Sequence, residues 1–323
     1  MANPRLGRVT ALAAALAVLA GCARMPEFAG FDEQPPEEAV ELPTPGDNPA
    51  AAACVLIDTD MALDDVRAIA AMLPTGKVRA IVTTGGVSRP ENGGSAAAVL
   101  TALSRRDDVR VLVGKPSPAP TSPDWLPASR QSAERLGYFL ATTVPLGPPE
   151  TFLAEEVRQA MRGCQTIDVL MLAPWSSFTT YRPQLGTRLR RIIVQGVPPT
   201  QAGSLGFSCG YDRAACQSVL QGGLFEIMTW VALPENADDS FVPRPDMFNG
   251  LAATGLPGAV KAMMQINPSA VTEGYVWDDS AALYWLYPDL FGQRGGHVEP
   301  VVPAATLKQH WRYAVNEAIE RQY

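Results

Sequence analysis

The chain has 323 residues with 26 basic and 33 acidic side chains, a formal charge of −7, and 47% of its residues are hydrophobic. An acidic chain without a basic cluster lacks the electrostatic footprint of a nucleic-acid-binding protein, so no nucleic acid is expected as a partner. Five cysteines without a CxxC spacing also exclude a zinc-ribbon type of site.

Arg5 and Arg8 are the only charges in the first 21 residues, and Val9 to Ala20 is apolar apart from Thr10. That run is too short to span a bilayer and suits the apolar core of a signal peptide, residues 1–21. It ends in Leu19-Ala20-Gly21-Cys22, which resembles the lipobox of bacterial lipoproteins. The resemblance implies cleavage before Cys22, acylation of its thiol and attachment to a membrane through that lipid. Ala23 in the next position implies, by the same likeness, sorting to the periplasmic face of the outer membrane, within the bacterial cell envelope. A chain cut there keeps 24 basic against 33 acidic residues, a formal −9. Residues 22–53 are then the anchor and a tether. Stretches such as Pro35-Pro36-Glu37-Glu38 and Pro43-Thr44-Pro45-Gly46 have no helical or strand period and bury too little apolar surface to fold.

Residues 54–323 are long enough for one large domain. Short apolar runs alternate there with helix-like segments. Strands are predicted at Val55-Leu56-Ile57, at 78–82, 109–113, 167–172, 191–194 and 225–231, with helices at 63–73, 95–103 and 153–161 and a Pro- and Ser-rich loop after the third strand. This alternation predicts an α/β fold, a mainly parallel sheet with helices on both faces, whose ligands collect at the carboxyl ends of the strands. Cys54 and Cys164 read as small buried hydrophobes beside strands, and Cys209 with Cys216 is the closest pair for a disulfide.

The first strand runs into Asp58-Thr59-Asp60-Met61-Ala62-Leu63-Asp64-Asp65. Period-two geometry puts Asp58 and Asp60 on one side of the strand, and Asp64 and Asp65 at the start of the following helix, whose dipole favours anions. One such acid is most simply a helix cap. Four in eight residues repel one another unless a hard cation with six to eight oxygen ligands, such as calcium, sits among them.

Asp58-x-Asp60-x-x-x-Asp64-Asp65 after an apolar strand resembles the N-terminal signature of the nucleoside hydrolases, the inosine–uridine preferring N-ribohydrolase family. Val78 to Gly86 is similar to that family's second strand and glycine loop, Leu172-Ala173-Pro174-Trp175 to a segment that supplies a backbone ligand, and Trp277-Asp278 to the one with the last metal carboxylate. The likeness implies a Rossmann-like fold and a calcium ion held by Asp60, Asp65, Asp278 and the Leu172 carbonyl. It also implies that Asp60 takes the proton of an attacking water and that Asp58 and Asp64 face the substrate, a small-molecule N-glycoside. Trp277 stands where the purine-specific branch stacks the base, and Trp125 is a second face for it. Core packing for Trp277 and an ordinary surface position for Trp125 are the alternatives.

The sequence departs from that pattern in the half that binds ribose. Val87 replaces an asparagine, Gly206-Phe207-Ser208 replaces Glu-Phe-Asn, and Ser176-Ser177 replaces Thr-Asn. Sites that hydrogen-bond hydroxyls discriminate through those groups, so plain ribonucleosides are expected to bind poorly. Two readings remain, a calcium-dependent N-glycosidic hydrolase and a catalytically weakened calcium-binding envelope lipoprotein of the same fold; an oligomer is compatible with either. A phosphatase of the Asp-x-Asp type is set aside because Ala62 stands where a hydroxyl residue is needed. Cys22→Ser should move the protein from the membrane to the soluble fraction on cell fractionation. An uncleaved leader on the wild-type product would contradict this reading.

Overall fold

A computed structural model describes residues 54–118, 123–140, 150–199, 206–267 and 274–320. Cys22 and the tether lie outside these residues. Strands β1 (Cys54–Thr59), β2 (Val78–Thr83), β3 (Arg110–Val113), β4 (Ile167–Met171), β5 (Leu189–Gln195) and β6 (Met228–Val231) run parallel, and a hairpin of β7 (Phe291–Arg294) and β8 (His297–Pro300) closes one edge. The described strands form one sheet in the order β3-β2-β1-β4-β5-β6-β8-β7. The chain builds outward from β1 to β3, then returns to β4 and builds the other way. The direction therefore reverses between β1 and β4, and in open α/β sheets that switch point opens a crevice at the carboxyl ends.

Both faces of the sheet are covered, which explains the continuous apolar runs of its strands. Val55 and Ile57 of β1 face α1 (Leu63–Met72), α10 (Trp277–Leu286) and α11 (Ala304–Glu320), packing in one core with Ile69, Leu283 and Trp311. Leu56 points the other way, into a second core with Val157 of α4 (Leu153–Ala160) and Phe178 and Tyr181 of α5 (Phe178–Leu185). The Trp285 indole N–H donates to Asp168 Oδ2 at 2.8 Å, fastening α10 to β4.

The predicted strands all appear, with shifts of a few residues. Helix α2 (Pro90–Leu103) starts earlier than expected, since a proline suits a first turn. The expected Pro- and Ser-rich loop gives way to α3 (Leu126–Leu140). Also present are α6 (Phe207–Tyr211), α7 (Arg213–Gln221), α8 (Pro245–Asn249) and α9 (Gly255–Ile266). Among the described residues no helix is long and apolar enough to cross a membrane.

The reading of Cys54 and Cys164 as small buried hydrophobes is corrected. They form a disulfide across a separation of 110 residues, with Cα atoms 5.8 Å apart. Adjacent strands β1 and β4 place both thiols at the same end of the sheet, a proximity that sequence distance conceals. Cys209 and Cys216 form a second disulfide, joining α6 to α7. A closed loop of the first bridge's size contributes roughly 5 kcal/mol in the chain-entropy account. Replacing both Cys54 and Cys164 by serine should lower the melting temperature by about 5–15 °C in calorimetry, more than opening the short Cys209–Cys216 loop alone.

Candidate functional site

The chain leaves β1 at Thr59 through a constrained turn. Met61, 2% exposed, adopts a φ of +52°, which is strained for a residue with a side chain. Hydrogen bonds hold the turn: the Met61 N–H donates to Thr59 Oγ1 at 3.0 Å, the Ser88 N–H to the Asp60 carbonyl at 2.9 Å, and Ser88 Oγ to the Met61 carbonyl at 2.9 Å. The turn sends Asp60 and the first residues of α1 back over the end of the sheet.

Asp58 and Asp60 are close enough to repel each other but take different hydrogen-bond partners. Asp58 is fully buried and accepts from Thr84 Oγ1 at 2.5 Å and from the Tyr181 hydroxyl at 2.9 Å; burial pushes its carboxyl up to about 7 against those two donors. Asp60 accepts the Val87 N–H at 2.9 Å on Oδ2. Its carboxyl is held well above the usual range by burial and by Asp65, a rise that the Val87 donor opposes. The loop comes this close because residue 86 is glycine: a Cβ there would lie 2.1 Å from Asp60 Oδ2.

Asp65, fully buried in the first turn of α1, accepts from the Ala62 N–H at 2.9 Å and from the Thr59 hydroxyl. Burial and neighbouring Asp64 raise its carboxyl to about 7. Asp278 enters from α10, with its carboxyl raised by burial and by Asp64 and Asp65. One carboxylate oxygen from each of Asp64, Asp65 and Asp278 falls within a group no wider than 4.8 Å. Such a set, all oxygen and mutually repelling, fits a hard divalent cation. Asp60 borders it through Asp65. The Leu172 N–H donates to the Asp58 carbonyl at 2.8 Å, so Leu172 follows β4 beside the end of β1.

The residue that aligns α10 with α1 lies outside the acidic motif. Arg67, 1% exposed, meets fully buried Asp279 with Nε at 2.9 and 3.1 Å and Nη2 at 2.9 Å. Asp279 stays raised to about 6 by burial, with Arg67 opposing. The signal was available: an arginine in the apolar run Val66-Arg67-Ala68-Ile69 needs a buried partner.

The positions that depart from the ribose-binding pattern have partners within the protein. Ser177 Oγ shares a 2.6 Å hydrogen bond with Thr84 and accepts the Lys115 N–H at 2.8 Å, while Ser176 Oγ meets Asp212 Oδ2 at 2.5 Å and Ser117 Oγ at 2.7 Å. Val87 packs with Leu126, Ala133 and Tyr211, with Phe207 against them. Trp125, 48% exposed, lies on Phe207 with ring centroids 5.2 Å apart, and Phe207 lies 5.0 Å from Tyr211. Trp277, 42% exposed, opens α10 and rests on Tyr275 at 5.4 Å. Among the described residues no ring contact joins the two tryptophans. Two surface clefts, one along Asp107–Arg110 and Gln159–Arg162 and one between Val197–Pro198 and His297–Glu299, contain none of the acids.

The same architecture occurs in solved nucleoside hydrolases. A plant nucleoside hydrolase is 16% identical with a TM-score of 0.62, the match covering 82% of this chain and 99% of that one. A purine-preferring ribonucleoside hydrolase from Gardnerella vaginalis is 14% identical at 0.60, covering 83% and 99%. An inosine–uridine preferring nucleoside hydrolase from Bacillus anthracis is 12% identical at 0.58, covering 81% and 99%. No protein-family model and no curated protein sequence matches this chain. The fold is nucleoside hydrolase-like.

The acids make stability depend on pH. Asp58 and Asp65 titrate at about 7 in the cation-free fold against 3.8 ordinarily, so between ~pH 4 and ~pH 7 the folded state holds protons that the unfolded chain has released. Cation-free stability should therefore fall as pH rises through that window and level off above it. Melting in calcium and in chelator should differ little near ~pH 5 and by several degrees near ~pH 8. An equal gap at both pH values, or no gap, would count against a cation site.

Proposed function

We propose that this chain is a divalent-cation-dependent hydrolase of N-glycosidic bonds, with calcium as the cation. The observation that supports it most is the convergence of Asp60, Asp64, Asp65 and Asp278 at the switch point of a nucleoside hydrolase-like sheet. Asp64, Asp65 and Asp278 would hold the cation, with Asp60 and the Leu172 carbonyl completing the set. When bound, it lowers the cost of ionising water beside the sugar.

The protein's own groups supply the rest. Asp60, fixed by the Val87 N–H and with its carboxyl held above the usual range by burial and by Asp65, is the base that takes the proton of the attacking water. As the bond from the anomeric carbon to the base nitrogen breaks, positive charge grows on the sugar, and the surrounding carboxylates stabilise it. The bond's electron pair leaves with the base. Trp277, half-exposed at the start of α10 beside Asp278, offers a face on which a planar purine stacks. Trp125 supports a second stacking surface.

Hydroxyl recognition is the weak half. Ser176 and Ser177 already have partners, and Val87 faces an apolar cluster. This favours a modified sugar over plain ribose, and it also gives the second reading, a cation-binding envelope protein with little turnover. Membrane attachment through Cys22, and thus an envelope location, belongs to the same proposal. Two disulfides suit the oxidising conditions of that compartment.

A panel of purine and pyrimidine nucleosides, assayed for free base with calcium present, tests the proposal. Inosine or guanosine should be cleaved in preference to uridine, with a high KM. Asp60→Ala should abolish turnover in a folded protein, and Trp277→Ala should lower kcat about tenfold or more while leaving calcium affinity unchanged. Uridine cleaved better than inosine would refute stacking, and no cleavage of any N-glycoside would leave the binding-protein reading.

A further inference from the structure

The Gly86–Val87 loop, whose amide fixes Asp60, is itself gripped from outside. Arg130 on α3 donates from Nε to the Val87 carbonyl at 2.8 Å and from Nη2 to the Gly86 carbonyl at 2.7 Å. The same Nη2 reaches the Tyr211 hydroxyl at 3.2 Å. One turn further along α3, Glu134 accepts the Arg89 N–H at 3.0 Å and the Arg89 guanidinium at 3.1 Å through both oxygens. A single helix face thus holds residues 86–89 by their carbonyls with a cation and by an amide with an anion.

The Gly86 carbonyl and the Val87 N–H belong to one planar peptide unit. Arg130 binds its oxygen and Asp60 binds its hydrogen. Turning that plane breaks both bonds at once. A guanidinium on the oxygen also polarises the unit and strengthens its N–H as a donor.

We propose that Arg130 is a positioning residue that sets the orientation of the Asp60 carboxylate through the Gly86–Val87 peptide, and with it the geometry of the cation site and of proton abstraction. The fork matters, and not only the charge, because two adjacent carbonyls are held by two different nitrogens. The catalytic part of this inference rests on the hydrolase reading above; the positional part does not.

Arg130→Lys keeps the charge and loses the fork, so it separates the two roles. Hydrogen exchange read on residues 84–88 should speed up in the variant by about tenfold or more while the β1 and β4 strands exchange as in the wild type. Calcium affinity by calorimetric titration should fall about tenfold, and kcat should fall ~10- to 100-fold with KM changing far less. Arg130→Ala provides a second variant, in which millimolar guanidinium ion should restore part of the protection and of the calcium affinity. Wild-type exchange at residues 84–88 together with unchanged or tighter calcium binding would overturn the proposal, because Arg130 would then act only as a nearby charge. Should the wild type cleave no N-glycoside, the hydrolase reading fails, while exchange and calcium affinity still decide the role of Arg130.

Discussion

Ionised carboxylates cannot share a closed space without counter-charge, and this constraint organises the end of the sheet around β1. The aspartates at positions 58, 60, 65, 278 and 279 are all buried there, with Asp64 half-buried at their edge. The fold answers the repulsion separately for different members. Asp58 receives two hydroxyl donors, and Asp279 receives the fork of Arg67. Asp60 has one amide. Asp65 has the Ala62 N–H and the Thr59 hydroxyl, yet it still faces Asp64 and Asp278, a repulsion that a divalent cation would remove. The cluster thus divides into acids that hold the scaffold in place and acids available for binding.

The scaffold explains how residues far apart in the chain meet within a few ångströms. Sheet direction reverses beside β1, so the segments after β1, β2 and β4 all end at one crevice. Asp278 arrives from a helix more than 200 residues downstream, and its alignment depends on two buried polar contacts of α10, Arg67 with Asp279 and Trp285 with Asp168. Removing one member of a buried ion pair leaves an uncompensated charge and typically costs about 3–5 kcal/mol. The strained Met61 and the missing Cβ at Gly86 are local adaptations to the same end. They bring a loop against Asp60 more closely than ordinary packing would.

The other wall is of a different character. Val87, Leu126, Phe207 and Tyr211 form an apolar and aromatic surface, braced by Arg130 and joined by the Cys209–Cys216 disulfide to α7. Ser176 is tied to Asp212, which also caps α7 by accepting the Ala215 N–H at 3.0 Å. The hydroxyls of Ser176 and Ser177 are both engaged within the protein. Under the proposed hydrolase reading, binding energy on this side would come from stacking and apolar contact more than from hydrogen bonds.

The sequence by itself determined the alternation of strands and helices and the position of the acids at the end of β1. Both are local: a period of two or 3.6 residues and a spacing of four acids in eight survive in any fold that buries the apolar face. Tertiary structure alone decided which acids share an environment. Asp58 and Asp60, two apart in the chain, take different partners, the Thr84 and Tyr181 hydroxyls for one and the Val87 amide for the other. Asp64 joins Asp65 and Asp278 because helix packing brings α10 to the first turn of α1. Arg67 with Asp279, Arg130 with the Gly86–Val87 peptide, and Cys54 with Cys164 are long-range pairs. Nothing in the local pattern selects such partners, because their proximity follows from strand order and helix packing, which sequence separation does not encode.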